Sequence, residues 1–209
     1  MRDNLVAALR LMLVTDDRLL AGRDPVVVCA AAVTGGVTMV QLRLKLAADR
    51  EIVAVGRRLL SALTVPLIVN DRVDLALAIG AAGVHLGPDD LAPALARRVV
   101  PRGFIIGASV GVDGEAARAA AADYWGIGPL RSTETKADAG AAIGFAGASK
   151  IREAAGTRPS VLIGNVQPND VAAALDAGFA GVAVGSGILA HPEVTEGARR
   201  YAVELDRRR

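Results

Sequence analysis

The stretch VTMVQLRLKLAADREIVAVGRRLLSAL, residues 37–63, holds a complete structural unit: an apolar run, a polar break and a longer amphipathic run. Residues 38–43 suit a strand buried against other structure, and from Gln41 onward polar and apolar residues alternate. In an extended chain Gln41, Arg43 and Lys45 share one face while Leu42, Leu44 and Leu46 share the other. At Asp49 the period becomes helical. Asp49 can accept from the first-turn amides, and Arg57 and Arg58 lie towards the end, where the helix dipole favours cations.

The same unit recurs along the chain. Apolar runs stand at 11–15, 38–43, 66–70, 83–86, 104–108, 123–126, 160–163 and 181–184. Helical patterns fall at 24–34, 49–63, 73–80, 91–99, 113–121, 145–155, 169–177 and 196–208, with Asp113 and Asn169 in cap positions. Such units with short connections imply an all-parallel sheet covered by helices. The fold class is therefore α/β, and a single-domain (β/α)8 TIM barrel over 1–209 leaves no strand unused. A doubly wound open sheet is the alternative, but no Gly-x-Gly-x-x-Gly follows the first strand.

The 209 residues are 52% apolar and 22% charged, enough for one large core. Twenty-four Lys and Arg against 22 Asp and Glu leave a formal charge of +2, part of it in the basic tail 206–209. With 3% aromatics and dispersed basic residues, nothing resembles a nucleic-acid footprint. No apolar run reads as a membrane span or a signal peptide. The single cysteine, Cys29, excludes an internal disulfide and reads as core packing, which suits a reducing cytoplasmic setting. The Ala-rich outer helix faces leave a homo-oligomer open.

A barrel carries its chemistry at the carboxyl ends of its strands, and the unusual polar residues fall there. Gln41, Arg43 and Lys45 follow the second strand, Asn70-Asp71-Arg72 the third, His85 and Asp89-Asp90 the fourth, and Ser109 the fifth. The hydroxyl-rich GPLRSTETK follows the sixth, Gly164-Asn165 the seventh and Gly185-Ser186-Gly187 the eighth. Arg43 and Lys45 inside a barrel need anions, either interior carboxylates or a ligand; a guanidinium fork and an ammonium suit phosphate oxygens. Asp71 and Asp90 on neighbouring loops suit Mg²⁺ held partly through a polyphosphate, although each also suits a helix cap. Lys136 ends a loop able to hydrogen-bond and cover a ligand. Gly164 and Gly185-Ser186 sit where barrels place phosphates. His85 reads as a structural residue with a catalytic alternative, and Tyr124 and Trp125 as packing groups with a polar tip.

In this combination the chain resembles the thiamine-phosphate synthase family from Leu13 to about Leu189. The likeness is carried by Gln-Leu-Arg-x-Lys at Gln41 to Lys45, Asn-Asp-Arg-x-Asp-x-Ala at Asn70 to Ala76, and Gly-Val-His-Leu-Gly-x-x-Asp-Leu at Gly83 to Leu91. Ile-Gly-x-Ser at Ile106 to Ser109, Gly-Pro-x-x-x-Thr-x-Thr-Lys at Gly128 to Lys136, and Gly-Val-Ala-Val-x-Ser-x-Ile at Gly181 to Ile188 complete it. The resemblance implies a Mg²⁺-dependent transferase that joins two small phosphorylated molecules, hydroxymethylpyrimidine diphosphate and hydroxyethylthiazole phosphate. It also implies that Asp71 and Asp90 hold the metal, that Arg43, Lys45, Asn70, Ser109 and Lys136 surround the diphosphate, and that Gln41 lies near the pyrimidine. Thr133, Thr135, Gly164, Gly185 and Ser186 then lie at the thiazole phosphate. Departures from the family pattern at Leu44, Pro88, Val110-Gly111, Arg131-Ser132 and Asn165-Val166 keep open a tautomerase-like or regulatory relative of the same fold. Of these, Leu44 is expected to face the helices, Asn165 to hold a left-handed turn, Arg131 to add a cation beside the phosphate loop, and Val110-Gly111 to remove polar groups near Ser109.

Overall fold

The computed structural model describes residues 2–112, 114–132 and 140–208. Eight short strands pair in chain order and all in parallel, and the last pairs with the first to close a barrel. They are β1 (Leu11–Val14), β2 (Met39–Leu42), β3 (Leu67–Asn70), β4 (Gly83–Leu86), β5 (Ile105–Val110), β6 (Tyr124–Ile127), β7 (Ser160–Ile163) and β8 (Gly181–Val184). Around them lie α1 (Arg2–Ala8), α2 (Asp17–Leu20), α3 (Pro25–Thr34), α4 (Asp49–Ala62), α5 (Val73–Ile79), α6 (Pro93–Ala96) and α7 (Glu115–Arg118). α8 (Gly144–Ala154), α9 (Val171–Asp176), α10 (Ser186–Leu189) and α11 (Val194–Asp206) complete the ring.

The period of two sorts the strand residues into two cores. Outward residues such as Leu11, Leu13, Val40, Leu42, Val69, Val84, Ile106, Val110 and Val182 pack under the helices. Cys29 joins them, fully buried, and burial pushes its thiol up to about 12, so it is packing. Inward residues Met12, Met39, Ile68, Tyr124, Val161 and Ala183 make a smaller core with Leu9, which follows α1 and plugs the amino-terminal end of the barrel. At about 25 cal/mol per Å², each fully buried Leu or Ile contributes roughly 1.5–3 kcal/mol. The lower half of the barrel is thus filled, and only its carboxyl end is open for polar residues.

Three local expectations change. The first helix after β2 begins from Ala48 as cap, and Asp49 turns away from the first-turn amides to chelate Arg72 at 2.9 and 3.0 Å. Asn169 lies inside a 3₁₀ turn whose cap is Gln167; the Asp170 carboxylate takes the Gln167 amide at 2.7 Å. The alternation after Gln41 also stops early. β2 ends at Leu42 because Thr15 Oγ1 takes the Arg43 amide at 2.8 Å and the Asp17 carboxylate takes the Lys45 amide at 2.6 Å. Leu44 still packs against the outer core, but Leu46 is 74% exposed. Asp113 lies outside the described residues.

Candidate active site

A cavity of about 300 Å³ opens at the carboxyl end of the barrel, lined from every strand. Gln41, Arg43, Asn70, Asp71, His85 and Ser109 line one wall, and Gly164, Gly185 and Ser186 the opposite one. Val14, Ile163 and Ala183, on β1, β7 and β8, add apolar surface to the lining. Thr133, Thr135 and Lys136 lie outside the described residues.

The polar wall is built from ion pairs and hydrogen bonds. The Arg43 side chain, 12% exposed, donates to Asp16 Oδ2 at 2.8 Å, while Asp16 Oδ1 accepts from the Arg18 and Leu19 amides at 3.0 and 3.2 Å and caps α2. Of the two sequence readings of Arg43, the structure shows the interior carboxylate, and the side chain also lines the cavity. The sequence patterns above do not single out Asp16; its place two residues after β1, at the carboxyl end of a barrel strand, is the signal that could have marked it.

Asp71 sits in the left-handed region at φ 63°, a conformation Asp tolerates better than most residues, and its amide donates to His85 O at 2.8 Å. Lys45 Nζ lies 2.5 Å from Asp71 Oδ2. Asp90 reaches back to the Gly87 amide at 2.6 Å and meets Asp71 in a carboxyl–carboxyl hydrogen bond. Burial pushes the Asp71 carboxyl up, but the Asp90 hydrogen bond and Lys45 outweigh it, and the net shift is down. Burial and the neighbouring Asp71 carboxylate raise Asp90 against the pull of the Gly87 amide. That pair of crowded acceptors fits a Mg²⁺ ion, which typically takes one or two carboxylates and completes its shell with water and phosphate oxygens. Among the described residues no group of three or more His, Cys, Asp or Glu is arranged for a metal.

Inside this wall His85 is buried, with Nδ1 3.0 Å from Tyr124 Oη and Nε2 3.0 Å from Ser109 Oγ. Its structural reading holds, and it also reaches the cavity. Val110 corrects the expectation placed on it: it follows Ser109 in the strand, faces outward and is fully buried in the helix-covered core, so it takes no polar group from the cavity.

On the opposite wall the loops after β6 and β7 are laced together. Leu130 N donates to Ile163 O at 2.8 Å and Arg131 N to Gly164 O at 3.1 Å. Arg131 is not a free cation facing a phosphate; its guanidinium forks onto Asp170 at 2.6 and 2.8 Å and donates to Asn165 O at 3.0 Å. Asn165 does take a left-handed turn, at φ 52°, with its side chain held by Gln167 at 2.9 Å. Tyr201, on α11, donates to Val166 O at 2.9 Å and fixes the far end of that loop.

Gly164 has φ 97°, and a Cβ there would overlap the Pro129 and Leu130 backbone. Gly164→Ala is expected to destabilise the protein by roughly 2–4 kcal/mol, combining left-handed strain with overpacking. A urea titration should show a lower midpoint with an unchanged slope; an unshifted midpoint would contradict the packing described here.

The family model described as Thiamine monophosphate synthase matches residues 11–188. A thiamine-phosphate synthase of Azorhizobium caulinodans is 46% identical over 207 residues, covering 96% of this chain and 97% of the relative. One from Xanthobacter autotrophicus is 48% identical, covering 91% and 92%. The solved thiamine phosphate pyrophosphorylase of Pyrococcus furiosus superposes with a TM-score of 0.86 at 33% identity, over 97% of this chain and 98% of that one.

Proposed function

The chain belongs to the thiamine monophosphate synthase family, and from that premise we propose that it joins hydroxymethylpyrimidine diphosphate to hydroxyethylthiazole phosphate, forming thiamine phosphate and releasing pyrophosphate. The observation that carries this reading is the two-sided cavity. Cationic and hydrogen-bonding groups gather on the wall of Arg43, Asn70, Asp71 and Ser109, with Lys45 and Asp90 behind it on Asp71, and glycine-bearing loops form the other wall.

In this reading Arg43, Lys45, Asn70 and Ser109 bind and orient the diphosphate, with Gln41 against the pyrimidine. Asp71 and Asp90 would hold Mg²⁺, which when bound neutralises charge on the departing pyrophosphate. Gly164, Gly185 and Ser186 receive the thiazole phosphate through backbone amides and a hydroxyl. Thr133, Thr135 and Lys136 enter by family resemblance, Lys136 as a further cation at the leaving group. No protein nucleophile is needed, because the aminopyrimidine stabilises the carbocation left when pyrophosphate departs. The thiazole nitrogen attacks because it is held in line. The apolar surface of Val14, Ile163 and Ala183 keeps water from competing there.

Two of the departures from the family pattern, Pro88 and Gly111, line the cavity, and three others are compatible with this route. Arg131 is neutralised by Asp170, Val110 faces the helices, and Asn165 has its side chain tied to Gln167. Among the described residues no helix is long and apolar enough to cross a membrane. We place the reaction in the cytoplasm, a reducing setting that a lone buried cysteine suits. Incubation with both substrates and Mg²⁺ should yield thiamine phosphate identified by mass. Ligand binding by calorimetry without any product, from folded protein, would overturn the assignment and leave a regulatory binder in its place.

A further inference from the structure

The loop after β7 is fastened by its carbonyls. Ile163 O accepts from the Leu130 amide at 2.8 Å, Gly164 O from the Arg131 amide at 3.1 Å, and Asn165 O from the Arg131 guanidinium at 3.0 Å. Val166 O, the next in line, accepts from Tyr201 Oη at 2.9 Å. Three successive carbonyls thus bond to the loop after β6. Along a strand neighbouring carbonyls point opposite ways, and it is two left-handed residues in a row, Gly164 at φ 97° and Asn165 at φ 52°, that bring these to one side.

A trans peptide is planar and carries its N–H opposite its C=O. The amides of Gly164, Asn165 and Val166 therefore turn away from the loop after β6, and among the described residues none of them has a hydrogen-bond partner. All three residues line the cavity, as do Gly185, Ser186 and Gly187. A run of unspent amides in such a turn makes an anion-binding concavity.

The supports of this loop stand outside the cavity, since neither Arg131, Asp170 nor Tyr201 lines it. The buried Asp170 carboxylate takes both terminal nitrogens of Arg131, at 2.6 and 2.8 Å, and the Gln167 amide at 2.7 Å. That fork fixes the plane from which Arg131 reaches Asn165 O. Gln167 in turn donates to Asn165 Oδ1 at 2.9 Å and ties that side chain. Tyr201 is buried on α11, and a Cβ on Gly187 would overlap its hydroxyl, so one oxygen stands beside the loops after both β7 and β8.

We propose that Asp170 is a positioning residue: acting through Arg131, it holds the carbonyls of the loop after β7 outward and so presents the amides of Gly164, Asn165 and Val166 to a phosphate monoester, with Tyr201 as the second support. Arg131 itself is spent on Asp170 and does not touch the ligand. That the monoester is the thiazole phosphate rests on the function proposed above, whereas the seat for phosphate does not.

Inorganic phosphate titrated into ¹⁵N-labelled protein should shift the amides of Gly164, Asn165 and Val166. Asp170→Asn keeps the size of the side chain and loosens the fork, so it should need about tenfold more phosphate for the same shift. Tyr201→Phe removes one neutral hydrogen bond and should need about threefold more. The sign of the first change decides the role of Arg131. Were Arg131 a phosphate ligand, Asp170→Asn would release its charge and tighten binding, and tighter binding would overturn the proposal. Unchanged affinity in both variants would assign the network to stability alone and overturn it as well. In turnover, Asp170→Asn should raise KM for the thiazole phosphate about tenfold and leave KM for the diphosphate unchanged; equal rises for both substrates would contradict a local role. A wild-type protein that makes no thiamine phosphate would remove the assigned reaction but not the seat. Wild-type amides at 164–166 that ignore phosphate would remove the seat whatever reaction the protein performs.

Discussion

Replacing Asp90 by Asn is expected to raise the melting temperature of the protein in EDTA while lowering Mg²⁺-dependent turnover about a hundredfold. The two effects have one origin. Burial and Asp71 raise the Asp90 pKa in the folded chain, so the folded state holds that proton to higher pH than the unfolded state does. Stability is thus lost as pH rises from the ordinary carboxylate value through the folded one. The carboxamide of the variant carries no charge to desolvate, its oxygen can keep the Gly87 amide, and its NH₂ can donate to Asp71. Asp71 has the opposite sign: its pKa is lowered, and its contribution is lost only as pH falls. Added Mg²⁺ should raise the melting point of the wild type most above the carboxylate range and should leave Asp90→Asn nearly unmoved. Scanning calorimetry with EDTA and with Mg²⁺ decides the matter; a variant that melts lower in EDTA would show that the carboxylate pair is not strained.

Arg43→Ala should lower both turnover and stability, and the two losses should separate. Without the guanidinium, Asp16 is left beside the cavity with only its helix-capping bonds. The lost charged hydrogen bond costs about 1.5–3 kcal/mol, and a missing cation at the diphosphate costs about 10²–10³ in kcat. Adding Asp16→Asn should restore most of the melting temperature and none of the turnover. Recovery of turnover by the double variant would place Arg43 among structural ion pairs and away from the ligand.

All eight strands are legible within two residues, because parallel barrel strands are buried on both faces and read as apolar runs. Parity then puts Gln41, Arg43, Asn70 and Ser109 on the cavity side. Parity also places Val110 outside, a consequence that the family comparison of that position obscures. The end of β2 is not legible, since it depends on Thr15 and Asp17 reaching across from the first loop. Arg131 is misread for the same reason: its partner Asp170 is 39 residues away, and pairing over such a distance leaves no periodic trace. The helix pattern at 91–99 shrinks to four residues because Pro93 sets its start and Arg97 turns out to bond Phe104 O and Asp123. Tyr124 reads as packing, which it is; that its hydroxyl meets His85 depends on glycines at 107 and 126.

The closure of the barrel ties the cavity to the order of synthesis. β8 pairs with β1, Arg10 donates to Leu205 O across 195 residues at 2.5 Å, and Tyr201 on the last helix holds the loop after β7. A nascent chain that still lacks α11 has the polar wall's residues in hand but neither the Tyr201 anchor of the loop after β7 nor the Leu205 contact at the amino-terminal end of the barrel. Contacts so distant in sequence form late and slowly. A chain stopped short of Val194 therefore has all eight strands and can close the barrel, yet it lacks the anchor that fixes one rim of the cavity, so barrel closure and completion of the pocket are separable steps.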